Sequence, residues 1–261
     1  MSKTQIFAHR GANKEAAENT RTAFDKALEY PIDGMETDVQ LSRDEVAVLW
    51  HDRFLGKVGK PLNHIDDFDY ETLQAMDFAA HFSPESGHES GHESLMTLQA
   101  FLNAYRRRCR LLIEIKHRDW ESREHLEIKV RQTLEMAGKV NGDAFMLSSF
   151  NLESLIYAHS CAPGFPLIYN LDTGQTDAQR ILSEQPFLHG LCLPIATLDQ
   201  PIVKLLRDMG KCIAVYTCDT DAEINKALEL GVDILISDLP KKALQMRDII
   251  LTKTISRGNA E

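Results

Sequence analysis

Short apolar runs alternate with longer amphipathic stretches along this chain. The strand candidates are QIFA (5–8), GMETDV (34–39), VAVLW (46–50), LLIEI (111–115), AFMLS (144–148), PLIYN (166–170), GLCLP (190–194), CIAVY (212–216) and DILIS (233–237). Several are apolar throughout, as strands covered on both faces should be. Helical patterns fill the spaces between them. Asn19 or Thr20 can cap TRTAFDKALEY, which places Phe24, Ala27 and Leu28 on one face. Thr97 starts TLQAFLNAYRRR, and Thr220 starts TDAEINKALELG, which Gly231 closes as a C-cap. Strand then helix, repeated, predicts a parallel sheet. Nine candidates less one early hairpin (34–39 with 46–50) leave eight, so the expected fold is an α/β chain built as a (β/α)8 TIM barrel.

One region breaks the rhythm. Residues 52–96 hold no clear strand and contain SPESGHESGHES. A stretch that long is expected to be a small inserted subdomain within a single barrel domain spanning 1–261. The repeat sets His88 and His92 beside Glu85, Glu89 and Glu93, which could bind a metal. Short Ser/Gly-rich repeats are more often flexible connections, and that reading is preferred.

Composition narrows the partners. A (β/α)8 barrel of about 250 residues would use nearly all of the 261 residues, and 43% hydrophobic content can fill its core. The net charge of -10 argues against nucleic acid and anionic membranes, which need a basic surface. A local basic pocket for one phosphate stays open. The N-terminus lacks a signal-peptide pattern, and no apolar run approaches the roughly 18 residues a bilayer span requires. A cytoplasmic location without stable membrane insertion is expected. The five cysteines (Cys109, Cys161, Cys192, Cys212, Cys218) are scattered with no CxxC, as free thiols in a reducing compartment would be. RRRCR (106–110) ends a predicted helix and reads as a solvated, dipole-favoured face.

Candidate chemistry gathers at strand ends, where (β/α)8 barrels build their active sites. His9 and Arg10 follow the first strand, and His51 and Asp52 follow VAVLW. Glu36 and Asp38 lie two apart and point the same way, as do Glu114 and Lys116. Taken singly, each has an ordinary structural reading: a hydrogen-bonded surface histidine, a solvated Glu-x-Asp, a salt-bridging lysine. Their shared strand polarity argues instead for one polar site. Three carboxylates (Glu36, Asp38, Glu114) make a hard oxygen set that prefers Mg²⁺, Ca²⁺ or Mn²⁺ to zinc. Two histidines can carry protons near neutral pH. Arg10 and Lys116 offer positive charge to a phosphate, and Gly11 permits a close backbone approach. The set describes metal-assisted phosphodiester hydrolysis.

These residues resemble the glycerophosphodiester phosphodiesterase family. The likeness runs through HRG (9–11), ENTRTAF (18–24), GMETDVQLSRDEVAVLWHD (34–52), IEIK (113–116), SSF (148–150) and ISDLP (236–240). It implies a (β/α)8 barrel with a small insertion, and hydrolysis of glycerophosphodiesters to sn-glycerol 3-phosphate and an alcohol. It implies His9 and His51 as acid and base, and Glu36, Asp38 and Glu114 as ligands of one divalent cation, Mg²⁺, Ca²⁺ or Mn²⁺. Arg10 and Lys116 would contact phosphate. Glu18 and Asn19 would brace the site, and Phe150 and Tyr216 would sit at its rim beside the glycerol or leaving group. The sequence departs from the family at Ala17, where Pro is usual before ENT, at Asp44-Glu45 in place of Asp-Gly, and at Thr217-Cys218-Asp219 in place of Thr-Val-Asn.

Three rival functions compete. An enolase-like lyase needs a base, usually Lys or His, on the later strands, which offer few such groups apart from the loop residues His159 and His189. A phospholipase-type enzyme would act on a phospholipid or lysophospholipid and should show an exposed apolar or basic loop. A non-catalytic phosphodiester-binding barrel would carry a broken catalytic set, whereas this set is complete.

Overall fold

The computed structural model describes residues 3–82, 91–138, 144–174 and 177–258, with side chains described to residue 252. The central sheet begins with β1 (Gln5–His9) and β2 (Gly34–Leu41), and β3 (Ala47–Leu49) turns back antiparallel on β2. It continues through β4 (Arg110–Ile115), β5 (Phe145–Ser149), β6 (Leu167–Asn170), β7 (Gly190–Pro194), β8 (Cys212–Tyr216) and β9 (Ile234–Ser237). β1 pairs in parallel with both β2 and β9, so eight parallel strands close into a barrel with β3 outside the ring. Every strand candidate of the sequence is a strand within a residue or two of its expected bounds.

Helices connect the strands: α1 (Arg21–Ala27), α2 (Tyr70–Gln74), α3 (Leu98–Tyr105), α4 (Arg123–Ala137), α5 (Leu152–Cys161), α6 (Ala178–Glu184), α7 (Gln200–Asp208), α8 (Asp221–Leu230) and α9 (Pro240–Gly258). Their starts follow capping chemistry. Thr20, not Asn19, caps α1 by accepting from Ala23 N, and Thr97 caps α3 in the same way. Thr220 and Glu223 form a reciprocal capping box on α8, and Gly231 ends it at φ 67. In the RRRCR run, Arg106 donates to the Ala137 carbonyl at the end of α4, 2.7 Å away.

Alternation along the strands sorts two cores. One set packs outward against the helices, with Phe24, Phe101 and Tyr105 among its members. The other fills the barrel interior: Phe7, Leu112, Met146, Ile168, Cys192, Ala214, Ile234 and Ile236. Gly34 makes room for it, since a Cβ there would lie 2.4 Å from the Phe7 ring. The polar residues of the sequence sit above this apolar plug.

Between β3 and α3 the chain leaves the barrel. Two single turns of 3-10 helix (Gly56–Val58 and Ile65–Asp67) and α2 pack around their own cluster of Trp50, Leu55, Ile65, Leu73, Phe78 and Leu95. His88, Glu85 and Glu89 of the ESGHESGH repeat lie outside the described residues. Glu93, at its edge, accepts from the Thr22 hydroxyl, and its N–H donates to Asp77 at 3.1 Å. His159, expected in a loop, lies inside α5 and stacks on Phe187 at 4.4 Å. His189 sits just before β7, at the opposite end of the barrel from the polar residues. No helix among the described residues is long and apolar enough to cross a membrane.

Candidate active site

The HRG motif is a sharp reversal. Arg10 (φ 57) and Gly11 (φ 83) both take left-handed conformations. For a residue with a side chain this costs roughly 1–2 kcal/mol, and two backbone bonds hold it in place. Arg10 N donates to Glu36 O at 2.9 Å, and Asn19 N donates to Arg10 O at 3.1 Å. Gly11 packs on α1 so closely that a Cβ would lie 2.6 Å from the Ala23 carbonyl carbon. The reversal turns the Arg10 guanidinium back over the barrel mouth.

Strand register does the rest. His9 lies opposite Glu36, Asp38 opposite Glu114, and Glu114 opposite Ser148. Asp38 is fully buried. Its Oδ2 accepts from Asn19 at 2.9 Å and lies 3.1 Å from Arg10 Nε. Its Oδ1 lies 2.9 Å from Lys116 Nζ, which also meets Glu114 Oε1 at 2.6 Å. Burial pushes the Asp38 carboxyl up, but Lys116 and Arg10 outweigh it and hold it well below the usual carboxylate range. Burial also opposes charge on Lys116, and Asp38 and Glu114 reverse that and raise its pKa.

Glu36 differs. Burial and the neighbouring Asp38 charge push its carboxyl well above the usual range, against the pull of Arg10. Its Oε2 is buried without a hydrogen-bond partner, 3.8 Å from His9 Nε2. Glu36, Asp38 and Glu114 each bring an oxygen within 4.8 Å of the others. Three carboxyl groups crowd two fixed cations, Arg10 and Lys116, and Arg10 is shared with Glu18 as well. An orphaned buried oxygen in an acidic cluster of hard donors fits a divalent cation.

Two histidines flank this cluster. His9 Nδ1 meets Asp238 Oδ1 at 2.6 Å, which turns Nε2 toward Glu36. Asp238 follows β9 and is itself held by Asn13 at 2.6 Å, Lys14 at 2.9 Å, and its own N–H on Asp219 at 2.8 Å. His51 Nδ1 meets Asp52 Oδ1 at 2.9 Å. The other Asp52 oxygen lies 3.0 Å from Lys57 Nζ, which also reaches Glu18 at 2.7 Å, and Glu18 reaches Arg10 at 3.0 Å. An unbroken chain of ion pairs therefore runs Asp52, Lys57, Glu18, Arg10, Asp38, Lys116, Glu114. Arg118 fixes the backbone beneath His51, donating to the carbonyls of His51 at 2.7 Å and Asp52 at 2.9 Å.

A cavity of about 170 Å³ opens over these groups. Of the residues predicted from sequence, His9, Arg10, Glu36, His51, Glu114, Lys116, Phe150 and Tyr216 reach its wall. Phe150 and Tyr216 meet edge to face, 5.8 Å apart. Asp38, Glu18 and Asn19 stand behind the wall: Asp38 meets Arg10 and Lys116, Glu18 meets Arg10, and Asn19 donates to Asp38. Ser148 and Asn170 also line the cavity, and sequence reasoning passed them over although their alternation along β5 and β6 points them inward. Asp238 was missed as a partner for His9, although it follows the last strand as His9 follows the first. Lys57 lies in a single 3-10 turn and Arg118 in a loop, and neither carries a periodic signal.

The geometry has a counterpart among known proteins. The model of the glycerophosphoryl diester phosphodiesterase family matches residues 9–242. The chain belongs to that family. It is an enzyme that hydrolyses glycerophosphodiesters. A glycerophosphodiester phosphodiesterase of Bacillus altitudinis is 28% identical over 256 residues, covering 94% of this chain and 98% of the relative. The crystal structure of a glycerophosphodiester phosphodiesterase from Agrobacterium tumefaciens superposes with a TM-score of 0.74 at 27% identity, covering 91% of this chain and 97% of that one. The fold of an Oleispira antarctica phosphodiesterase, solved with the product sn-glycerol-3-phosphate, matches with a TM-score of 0.82 at 24% identity, covering 94% of this chain and 97% of that one. Against the family pattern, the Thr217-Cys218-Asp219 departure leaves Thr217 on the cavity wall and sets Asp219 under Asp238.

Proposed function

We propose that this phosphodiesterase releases sn-glycerol 3-phosphate and an alcohol, with His9 and His51 as its acid–base pair and one divalent cation held by Glu36, Asp38 and Glu114. The observation that carries this reading is the buried, unpartnered Glu36 Oε2, set among converging carboxylates and 3.8 Å from His9 Nε2. Bound there, Mg²⁺, Ca²⁺ or Mn²⁺ would offset phosphate charge and acidify an attacking hydroxyl. Glu36 and Glu114 face the cavity and would be its principal ligands, with Asp38 shared among Lys116, Arg10 and Asn19.

The chain's own groups supply the rest. Arg10 and Lys116 hold the phosphate in a site where fixed positive charge needs no reorganisation. Asp238 and Asp52 occupy Nδ1 of the two histidines, so each presents Nε2 to the cavity. One histidine takes the proton of the attacking oxygen, either the glycerol 2-hydroxyl or water. The other gives a proton to the leaving alcohol. If the 2-hydroxyl attacks, exchange of these roles opens the cyclic phosphate. Phe150 and Tyr216 pack against the glycerol or the leaving group. The product bound to the Oleispira antarctica relative supports the glycerol phosphate assignment.

Residues 52–96 are read as an inserted subdomain of a single barrel domain, supported by their separate apolar cluster. The substrate is a small soluble diester. The five cysteines form no disulfide, which suits a reducing compartment, and the reaction is assigned to the cytoplasm. The decisive assay measures sn-glycerol 3-phosphate released from glycerophosphocholine and glycerophosphoethanolamine, first in EDTA and then with each cation restored. Cation-dependent release supports the reading. Release that EDTA leaves intact removes the metal role. Turnover of lysophospholipid alone transfers the chemistry to a phospholipase.

A further inference from the structure

The opposite end of the barrel holds a second polar cleft. It is formed where strands begin: Gln5 opens β1, Arg110 opens β4, and His189, Lys211 and Asp233 immediately precede β7, β8 and β9. Its volume is about 450 Å³, against about 170 Å³ for the catalytic cavity. Arg207, at the end of α7, completes the polar wall, and Met146 and Ile234 form part of an apolar floor.

Among the described residues the charges in this cleft do not balance: Arg110, Arg207 and Lys211 face one carboxylate, Asp233. That carboxylate is partly spent: Oδ2 accepts from Ile213 N at 2.8 Å, and Oδ1 lies 3.9 Å from Arg207. Lys211 Nζ donates to two neutral carbonyls, Pro186 O at 2.9 Å and Leu188 O at 2.6 Å, and among the described residues meets no acid. The Arg110 guanidinium makes no hydrogen bond or ion pair among the described residues, although it is half-buried. Gln5 Oε1 is buried there without a partner, and its amide can rotate to offer NH₂ instead. Unpaired cations in a concave, partly desolvated site raise the local concentration of anions. They do so here in a chain of net charge -10, whose surface otherwise repels anions.

We propose that this cleft binds a small phosphate-type oxyanion, either inorganic phosphate or a phosphomonoester. Arg110 presents a planar fork suited to two oxygens of one anion. Lys211 is a point charge whose two carbonyl bonds fix its position and leave a third donor for the anion. The volume has room for the organic part of a monoester over the apolar floor. Recognition rests on the terminal phosphoryl group that these ligands share.

The test is equilibrium dialysis of the full chain with labelled inorganic phosphate in EDTA, repeated with saturating glycerophosphocholine to empty the catalytic cavity of phosphate. The wild type should bind a second equivalent that glycerophosphocholine does not displace. The Arg110→Gln/Lys211→Gln variant should lose that equivalent, its affinity falling more than about tenfold, while turnover at low phosphate is unchanged. Arg110→Lys with Lys211→Arg keeps both charges and should retain binding, which separates lost recognition from lost folding. sn-Glycerol 3-phosphate in place of phosphate shows whether the monoester binds more tightly. The proposal falls if the wild type holds no phosphate beyond what glycerophosphocholine displaces, or if the Gln variant keeps the second equivalent. Absence of the displaceable equivalent, with the second one present, leaves this inference standing and agrees with a catalytic site that needs its cation to hold phosphate.

Discussion

The two histidines proposed as the acid–base pair are held in opposite ways. His9 ends a central strand, and its partner Asp238 follows the strand beside it, 229 residues away in sequence. Its side chain is 15% exposed, as is that of Asp238. His51 follows β3, outside the closed ring, and its partner is the next residue. Its side chain is 34% exposed. The first histidine is therefore built into the barrel wall, where moving it would break strand pairing. The second stands on a loop whose position depends on Lys57 and Arg118, neither of which belongs to a strand. One arm is fixed by the fold and the other is clamped by side chains. The lesson is that the loop arm can be loosened without unfolding the barrel.

Removing either imidazole tests whether the arms do comparable chemistry. His9→Ala and His51→Ala should each lower kcat by about 10²–10⁴-fold with folding intact. Steady-state assay beside circular dichroism checks this. A His51→Ala protein with normal kcat would end the two-histidine assignment. Glu36→Ala should lose cation affinity; unchanged cation titration by calorimetry would remove Glu36 from the ligand set.

A smaller effect distinguishes how the arms are held. Asp238→Asn should reduce kcat by roughly 10–100-fold, as losses of an orienting partner do, because His9 Nδ1 would face an amide. Lys57→Met leaves both histidines in place but frees Asp52 and Glu18. It should reduce kcat/KM by about fivefold, near 1 kcal/mol, and Lys57→Arg should recover part of that. If Lys57→Met proved as damaging as Asp238→Asn, the loop arm would be no looser than the barrel arm.

Acid should loosen the clamped arm in a defined window. Burial pushes the Asp52 carboxyl up, but hydrogen bonds from His51 and Lys57 outweigh it and hold it at about 2, against an ordinary 3.8. A carboxyl depressed by folding stabilises the native state above its unfolded pKa, and the gain is lost as pH falls through the folded value. The Tm difference between the wild type and Asp52→Asn should be constant above about pH 4 and close toward pH 2. A difference independent of pH would show that Asp52 is held by shape alone.

The two arms also differed in how far the sequence revealed them. His9, Glu36, Asp38, Glu114 and Lys116 are legible because strand alternation and strand polarity aim them at one place, and both rules act over a few residues. The same rules located all nine strands and the caps at Thr97, Thr220 and Gly231. Asp52 was visible because it adjoins His51. Asp238 pairs with His9 only because β9 closes on β1, a contact no local pattern encodes. Lys57 and Arg118 are placed by a short 3-10 turn and a loop, whose conformation follows from packing rather than from periodicity. Asp38 was legible as an inward carboxylate, but its burial behind Lys116 and Arg10 depends on three separate segments meeting.

The smallest expected effect lies in the hairpin that leads to His51. Between β2 and β3, Glu45 takes φ 62, a left-handed conformation, at the position where the family usually has glycine. Ser42, whose hydroxyl bonds Asp44 at 2.6 Å, and the Val46 N–H bond to Ser42 Oγ at 2.9 Å hold the turn in that form. Left-handed geometry costs a residue with a side chain roughly 1–2 kcal/mol, and glycine gives back about 0.5–1 kcal/mol in unfolded-state entropy. Glu45→Gly should therefore stabilise the protein by about 0.5 kcal/mol, read as a small rise in denaturation midpoint at constant slope. Glu45 lies on the solvent side of the hairpin, where its carbonyl accepts from Gln132 at 3.0 Å. On the Glu45 side that bond uses only the backbone carbonyl, with the Gln132 side-chain amide donating, so it survives the change and activity should be unaltered. A loss of kcat in Glu45→Gly would mean that the strained turn itself aims β3, and that the arm bearing His51 is set by the hairpin as well as by its clamps.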